Sequence, residues 1–376
     1  MKVVLAVDAV TWPLSGIGRY TRELALRLRH RPEIEPLRLY RDGRWVGEAE
    51  LLTDGQPAVL GPAYRRCLGI PMWARHWHRL RAVRDHLFHG PNYFLPPFSG
   101  PGIATIHDLS VFRFPETHPS ARRRHFERRF LGSLERASHV ITDSEVIRKE
   151  VIERFSWRAD RITAVPLGVS DRYAPHQSGI DPAILRDSGL QANGYVLCVS
   201  TLEPRKGIDS LLHAYRGLPV SLRSRYPLVL AGGQGWLNGA ILTAINQARH
   251  EGWLRHLGYV AEANLPHLYA AARAFVYPSI YEGFGLPVLE AMASGVPVLT
   301  SDCSSMPEVS SGAALLVAPL DAGALRLGIE RVIEDEPWRA VARQRGLQVA
   351  SEHSWDRCIE RTLAVYQKVD RSAGSA

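Results

Sequence analysis

Apolar positions along this chain fall in short continuous runs, each followed by a polar stretch with helical spacing. Lys2–Asp8 is an apolar, β-branched run that predicts a buried strand, and a Pro/Gly/Ser turn follows at Trp12–Gly16. Arg19–Arg29 then reads as a helix, with Leu24, Leu26 and Leu28 set among charges. Pro36–Tyr40, His86–His89, Ile103–His107 and His139–Asp143 predict further strands, and residues 121–136 and 144–155 further helices. Residues 41–85 are poorly patterned and receive no assignment. Around Val169–Gly194 the periodicity fails and Pro175, Ser178, Gly179 and Pro182 collect, which predicts a linker. A second series begins at Tyr195–Ser200, with strands near Leu228–Ala231, His256–Tyr259, Ala274–Tyr277, Val296–Thr300 and Ala314–Val317, and a final helix at Trp355–Val369. Strand–helix alternation in both halves predicts an α/β protein of two doubly wound parallel-sheet domains, 1–173 and 174–353. In such sheets ligands bind at the carboxyl ends of the strands.

Composition agrees and narrows the picture. A chain of 376 residues exceeds one ordinary core. The apolar run at Met1–Asp8 is too short for a signal peptide, and no stretch approaches the roughly 18 uncharged apolar residues of a membrane span. Cys67, Cys198, Cys303 and Cys358 are scattered, without zinc or disulfide spacing, so a reducing cytoplasm is expected. The net charge of +8 is uneven: residues 1–173 carry 28 Lys and Arg against 19 Asp and Glu, the remainder 18 against 19. The excess concentrates at Tyr64–Arg66, Arg75–Arg79 and Arg122–Arg129, which suggests a polyanionic surface as partner. Tyr64 and Trp77 lie in these patches and Trp73 just before one, but no nucleic-acid recognition module is visible and no nucleic acid is expected to bind.

Chemistry concentrates in Glu282-Gly-Phe-Gly-Leu-Pro-Val-Leu-Glu290. A carboxylate precedes a glycine-spaced turn, a helix starts with Pro287 in its first turn, and Gly295 ends it. Such a start offers backbone N–H groups and a positive dipole end to an anion. Glu282 and Glu290 would stand roughly 80° apart around a regular helix. They therefore suit different parts of one extended ligand better than a tight dyad; a solvated helix with surface glutamates is the alternative. Arg205-Lys206 follows a strand and precedes a helix, where Arg can fork onto a diphosphate and Lys act as a mobile point charge. No Asp-x-Asp occurs, so carboxylates to hold a metal-bridged diphosphate are missing from the pattern. Gly16 and Gly18 are placed in a strand-to-helix loop, His107-Asp108 and Asp143-Ser144 at strand ends, the latter as a helix cap.

The Glu282–Glu290 segment resembles the glutamate-x7-glutamate signature of retaining, nucleotide-sugar-dependent glycosyltransferases of family 4, which have the GT-B fold: two Rossmann-like domains facing a cleft. Ser200–Gly207, Ala231-Gly-Gly-Gln-Gly235, Leu257-Gly-Tyr-Val260 and Leu268–Ala272 are similar to the family's other landmarks, in the family's order. Gly16-Ile-Gly-Arg-Tyr20, His107-Asp108 and Thr142-Asp-Ser144 match more loosely. The resemblance implies an acceptor-binding N-terminal domain, joined by the C-terminal helix 354–376, and a nucleotide-sugar-binding C-terminal domain. It implies that Glu282 contacts donor sugar hydroxyls, Glu290 the ribose and Val260 the base through its backbone. Gly283, Phe284, Gly285 and Leu286 would set backbone donors against sugar and phosphate, with Ser200 on the donor side. Gly16 and Gly18 would approach the diphosphate or acceptor, and His107 would bind and orient beside the donor sugar.

Arg205, Lys206 and the Gly283–Leu286 turn would neutralise the leaving group without a metal or other cofactor. Retention would proceed by front-face substitution, since no residue stands out as a nucleophile. The likeness is nearest to bacterial O-antigen mannosyl- and D-rhamnosyltransferases, implying a GDP-sugar donor, with UDP-sugars as the alternative, and a lipid-linked oligosaccharide acceptor. Phe126, Phe130 and Leu134 form an apolar stripe flanked by arginines, read either as core packing or as docking on an anionic inner leaflet. A non-catalytic binding subunit and a nucleotide-sugar epimerase are the readings from other classes.

Overall fold

A computed structural model describes residues 1–48, 79–118, 120–177, 182–235 and 238–374. The basic patches at Tyr64–Arg66 and Arg75–Trp77, and Trp73, lie outside the described residues. Two compact units divide the chain: one comprises Met1–Leu109, Ala121–Leu167 and Trp355–Ala376, the other Ser110–Ser120 and Gly168–Ser354.

The first unit is built on β1 Val3–Ala6, β2 Leu37–Arg41, β3 Arg44–Val46, β4 Leu87–Gly90, β5 Gly102–Ile106, β6 His139–Thr142 and β7 Ile162–Ala164, in the order β3-β2-β1-β4-β5-β6-β7. β1, β4, β5 and β6 are buried throughout, as expected of strands covered on both faces, which explains their unbroken apolar runs. β7 was not anticipated, and neither was β3, which is antiparallel to β2. Its signal was present in Asp42-Gly43, both at positive φ, the turn chemistry of a tight hairpin. The stripe on the helix Ser120–Arg136 packs inward. Phe130 is fully buried, Leu134 is buried, and Phe126 packs on Tyr93, Phe94 and Phe130. Burial of a phenylalanine is worth about 1.5–3 kcal/mol, so the stripe is core and is not available to lipid. Among the described residues no helix is long and apolar enough to cross a membrane.

The C-terminal helix Trp355–Gly374 is held in this unit by a buried polar chain. Tyr366 Oη lies 2.6 Å from His89 Nδ1, His89 Nε2 lies 2.8 Å from Thr105 Oγ1, and Tyr20 Oη lies 3.1 Å from that same hydroxyl. Burial, reinforced by His107, pulls the His89 imidazole down to about 3, and burial likewise pulls His139 down to about 4. Unfolded histidines titrate near 6.5, so below that pH the unfolded chain takes up protons that folded His89 refuses. Stability is therefore lost as pH falls from about 6.5 towards 3, at up to about 1.4 kcal/mol per pH unit from His89 alone. Between pH 7 and pH 5 His89 should account for about 2 kcal/mol of lost stability, read in urea melts as the difference in pH dependence between the parent and His89→Gln. His107 has the opposite sign. Its affinity for protons is raised, so its contribution is complete below the unfolded value and fades at higher pH.

The second unit carries β8 Val196–Val199, β9 Leu228–Ala231, β10 Leu254–Gly258, β11 Ala274–Tyr277, β12 Val298–Ser301 and β13 Leu315–Val317, all parallel, in the order β10-β9-β8-β11-β12-β13. The stretch read as a linker is more structured than expected. It holds the short helix Ala183–Asp187, buries Tyr173, Leu185 and Leu190, and pairs Val169 with Ser354. Its apolar residues are too few for periodicity but enough to dock it. Strand order reverses between β8 and β11, and the loops leaving these two neighbours are where a doubly wound sheet places its ligand.

Candidate active site

The exit of β8 carries Ser200–Lys206 and the exit of β11 carries Pro278–Glu282, so sheet order alone brings Lys206 beside Glu282. Lys206 Nζ lies 2.5 Å from Glu282 Oε1 and 3.2 Å from Tyr277 Oη. The same carboxylate oxygen accepts from Tyr277 Oη at 2.8 Å and from Ser279 Oγ at 2.6 Å. Glu282 Oε2 faces Arg205 Nη1 at 3.5 Å. Arg205 is itself oriented, donating to the Tyr281 carbonyl at 2.9 Å, with Nε 3.4 Å from Glu203 Oε2. Burial alone would raise the Glu282 carboxyl, but Lys206 and Arg205 outweigh it and hold it at about 2. Burial and neighbouring Arg205 draw the Lys206 ammonium below its ordinary value, with Glu282 opposing them. Burial and Glu282 keep the Tyr277 phenol protonated, so it serves as a donor.

This corrects the picture of Lys206 as a mobile charge. It is buried and fixed, because a buried ammonium is tolerable only when paired and hydrogen-bonded. The arrangement presents one preset cation pair, Arg205 and Lys206, and one carboxylate whose Oε1 is saturated with donors. Oε2 is the oxygen better placed to accept from a ligand hydroxyl.

The turn into the next helix forms as expected. Glu282 lies in the loop, Gly285 at φ +115 is the cap, and Leu286–Ala293 is the helix, with Pro287 in its first turn. Gly295 at φ +68 follows its end. Glu290 is buried within that helix, and Gly283, Phe284 and Leu286 are buried in the turn. Val260 is buried just beyond β10, and Ser200 is half-buried just beyond β8. The backbones of these exits approach closely. A Cβ on Gly207 would stand 2.1 Å from the Pro278 carbonyl oxygen, with φ at +68. Gly207→Ala should therefore cost about 2–4 kcal/mol, read as a lower urea midpoint, because backbone on both sides must move.

Gly16, Gly18 and His107 belong to the first unit. The two glycines are not in a loop: the helix begins at Gly16, and Ser15 caps it by accepting from Gly18 N at 3.1 Å. That N–H is spent within the protein and not offered to a diphosphate. Gly18 is required for packing, since a Cβ there would meet the Ala9 carbonyl oxygen at 2.7 Å. His107 is buried with both ring nitrogens engaged, Nδ1 at 2.7 Å from Asp143 Oδ2 and Nε2 at 2.7 Å from the Pro91 carbonyl oxygen. Burial lowers its affinity for a proton, and Asp143 more than restores it. Neither nitrogen is left to exchange a proton with a substrate in this conformation. Asp143 is accordingly the partner of His107 and not a helix cap; Ser144 performs that task, accepting from Ile147 N at 3.3 Å.

Sequence reasoning missed Tyr277, Ser279, Ser304 and Ser305. Tyr277 looked like the last apolar residue of a strand, and isolated serines carry no pattern.

Comparison with known proteins gives the family. Residues 184–349 match the family Glycosyl transferases group 1, and residues 14–173 match Glycosyltransferase Family 4. O-antigen chain mannosyltransferase B of Escherichia coli is 40% identical over 98% of this chain and 100% of its own. The serotype-specific mannosyltransferase WbdA of Escherichia coli is 31% identical over 67% of this chain and 32% of its own. Among solved structures, sucrose-phosphate synthase from Thermosynechococcus elongatus superposes with a TM-score of 0.74 at 22% identity, covering 99% of this chain and 100% of that one. The chain belongs to glycosyltransferase family 4, a GT-B enzyme with two Rossmann-like domains that transfers a sugar.

Proposed function

We propose that this glycosyltransferase moves mannose or D-rhamnose from a GDP-sugar to a lipid-linked glycan during assembly of a bacterial O-antigen or related surface polysaccharide. The observation that carries this reading is the 40% identity, along almost the whole chain, to an O-antigen chain mannosyltransferase. Arg205 and Lys206 supply fixed positive charge for the departing diphosphate, the role for which a preorganised cation pair is suited. Glu282 receives sugar hydroxyls through Oε2, Glu290 holds the ribose, and Val260 meets the base.

Transfer proceeds with retention by front-face substitution, the departing phosphate taking the acceptor proton. A double displacement needs a nucleophilic carboxylate roughly 5 Å from an acid partner. Glu282, held at about 2 with Lys206, Tyr277 and Ser279 on Oε1, is a weak base and a poor nucleophile. Positioning and fixed charge supply most of the rate. No metal ion is needed on this reading, because Arg205 and Lys206 occupy the electrostatic role. Activity should survive EDTA within about twofold; full loss restored by magnesium or manganese would overturn it. Attachment to an anionic inner leaflet would rest on the arginines of Ser120–Arg136 and the other basic patches and not on the buried apolar stripe, and flotation with phosphatidylglycerol vesicles tests it.

The deciding experiment incubates the protein with GDP-mannose, GDP-D-rhamnose or UDP-sugars and a synthetic polyprenyl-linked acceptor, followed by mass spectrometry and assignment of the new anomeric centre. A hexose added from a GDP-sugar with retained configuration is expected. Transfer from UDP-sugars only would replace the donor assignment, and a C2 epimer formed without acceptor would mark an epimerase.

A further inference from the structure

Glu282 is held through its backbone as well as its carboxylate. The segment leaving β12 laces the β11 exit with side chains. Ser301 Oγ donates to the Ser279 carbonyl, and Cys303 Sγ lies 3.3 Å from the Ile280 carbonyl oxygen. Ser304 Oγ accepts from Glu282 N at 2.9 Å and donates back to the Glu282 carbonyl at 2.6 Å. Ser305 Oγ lies 2.9 Å from that same carbonyl oxygen and 2.7 Å from the Phe284 carbonyl oxygen. These carbonyls lie beyond the end of β11, where the strand ladder no longer satisfies them, so side chains take its place.

Two features indicate that the hydroxyls are placed against local preference. Ser304 has φ +57, the left-handed region that a serine enters only at a cost. Ser305 occupies the cap position before Met306–Ser310, where a hydroxyl ordinarily accepts from the helix N–H groups, yet it makes no capping bond. Local stability is given up at both residues in favour of contacts to Glu282 and Phe284.

We propose that Ser304 and Ser305 are positioning residues of the transferase site. They fix the backbone on either side of Gly283, so that Glu282 keeps Oε1 on Lys206 and Oε2 towards the donor sugar. This rests on the transferase reading above. The pairing of distances matters: an error of about 1 Å in a reacting group can cost a hundredfold in rate.

The test compares the full-length protein with Ser304→Gly and Ser305→Ala. Glycine removes the hydroxyl but relieves the left-handed backbone, so the melting temperature of Ser304→Gly should stay within about 3 °C of the parent. In both variants the Glu282 amide should exchange with deuterium about tenfold faster or more, since Ser304→Gly removes the acceptor of its N–H and Ser305→Ala removes one of the two hydroxyls that hold its carbonyl. With GDP-mannose as donor, kcat should fall about tenfold or more while donor KM changes less than about threefold. A purely structural role would instead lower the melting temperature and leave the kinetics of the folded fraction unchanged. Unchanged exchange at Glu282 would overturn the lacing. Faster exchange with kcat and KM within about twofold of the parent would overturn the positioning role. The exchange measurement needs no turnover, so a parent protein that transfers from no nucleotide sugar would refute the reading of function and leave the lacing to be decided by exchange.

Discussion

Replacing Lys206 by alanine should lower kcat/KM by about a thousandfold or more, equivalent to about 4 kcal/mol of transition-state stabilisation. Two effects combine. On the proposed mechanism the leaving diphosphate loses one of two fixed cations, and the carboxylate of Glu282 loses the ammonium 2.5 Å from Oε1. Arg205, at 3.5 Å, does not replace it, because its Nη1 is already committed to the Tyr281 carbonyl. Leaving one member of a buried ion pair alone typically costs about 3–5 kcal/mol of stability, so the variant should also melt earlier. Steady-state kinetics at a temperature where both proteins are folded separates the two effects. A loss below about tenfold in kcat/KM would remove Lys206 from the reaction.

Glu282→Gln is the second large effect, about a hundredfold or more in kcat/KM. The amide keeps the shape of the side chain but no longer offers a charged acceptor to sugar hydroxyls, and it withdraws the charge that keeps Lys206 protonated. Burial and Arg205 already draw the ammonium down while Glu282 opposes them. Removing that opposition moves the lysine further down, so the alkaline limb of the pH–rate profile should shift to lower pH in the variant. A profile superimposable on the parent's would refute this coupling. The double variant Lys206→Ala, Glu282→Gln should lose less stability than the sum of its parts, because no charge is stranded when both partners go.

All but two of the strands were legible because each is a short apolar run whose signal lies within its own residues; Leu228–Ala231 and Ala274–Tyr277 form where the run predicts, whereas the three residues Ile162–Ala164 were too few to register. The hairpin strand Arg44–Val46 was not legible either, since three residues with a charge at one end carry too little periodicity. Arg205, Lys206, Glu282 and Glu290 were legible as chemistry because their types and flanking glycines mark strand exits and a helix start. His107 was legible as a strand-end histidine, but its engagement by Asp143 and the Pro91 carbonyl was not.

By itself the sequence determined the alternation of strands and helices, the two-domain α/β class, and the residues at the ends of its strands, because these depend on local periodicity and backbone propensity. Only the tertiary structure decided which ends meet. Lys206 and Glu282 are 76 positions apart, and they pair because β8 and β11 are neighbours in the sheet. It also decided that Ser304 reaches back 22 positions to the backbone of Glu282, and that the amide of Gly18 is consumed by Ser15. Strand order and burial set those contacts, and neither is a property of any short window of the chain.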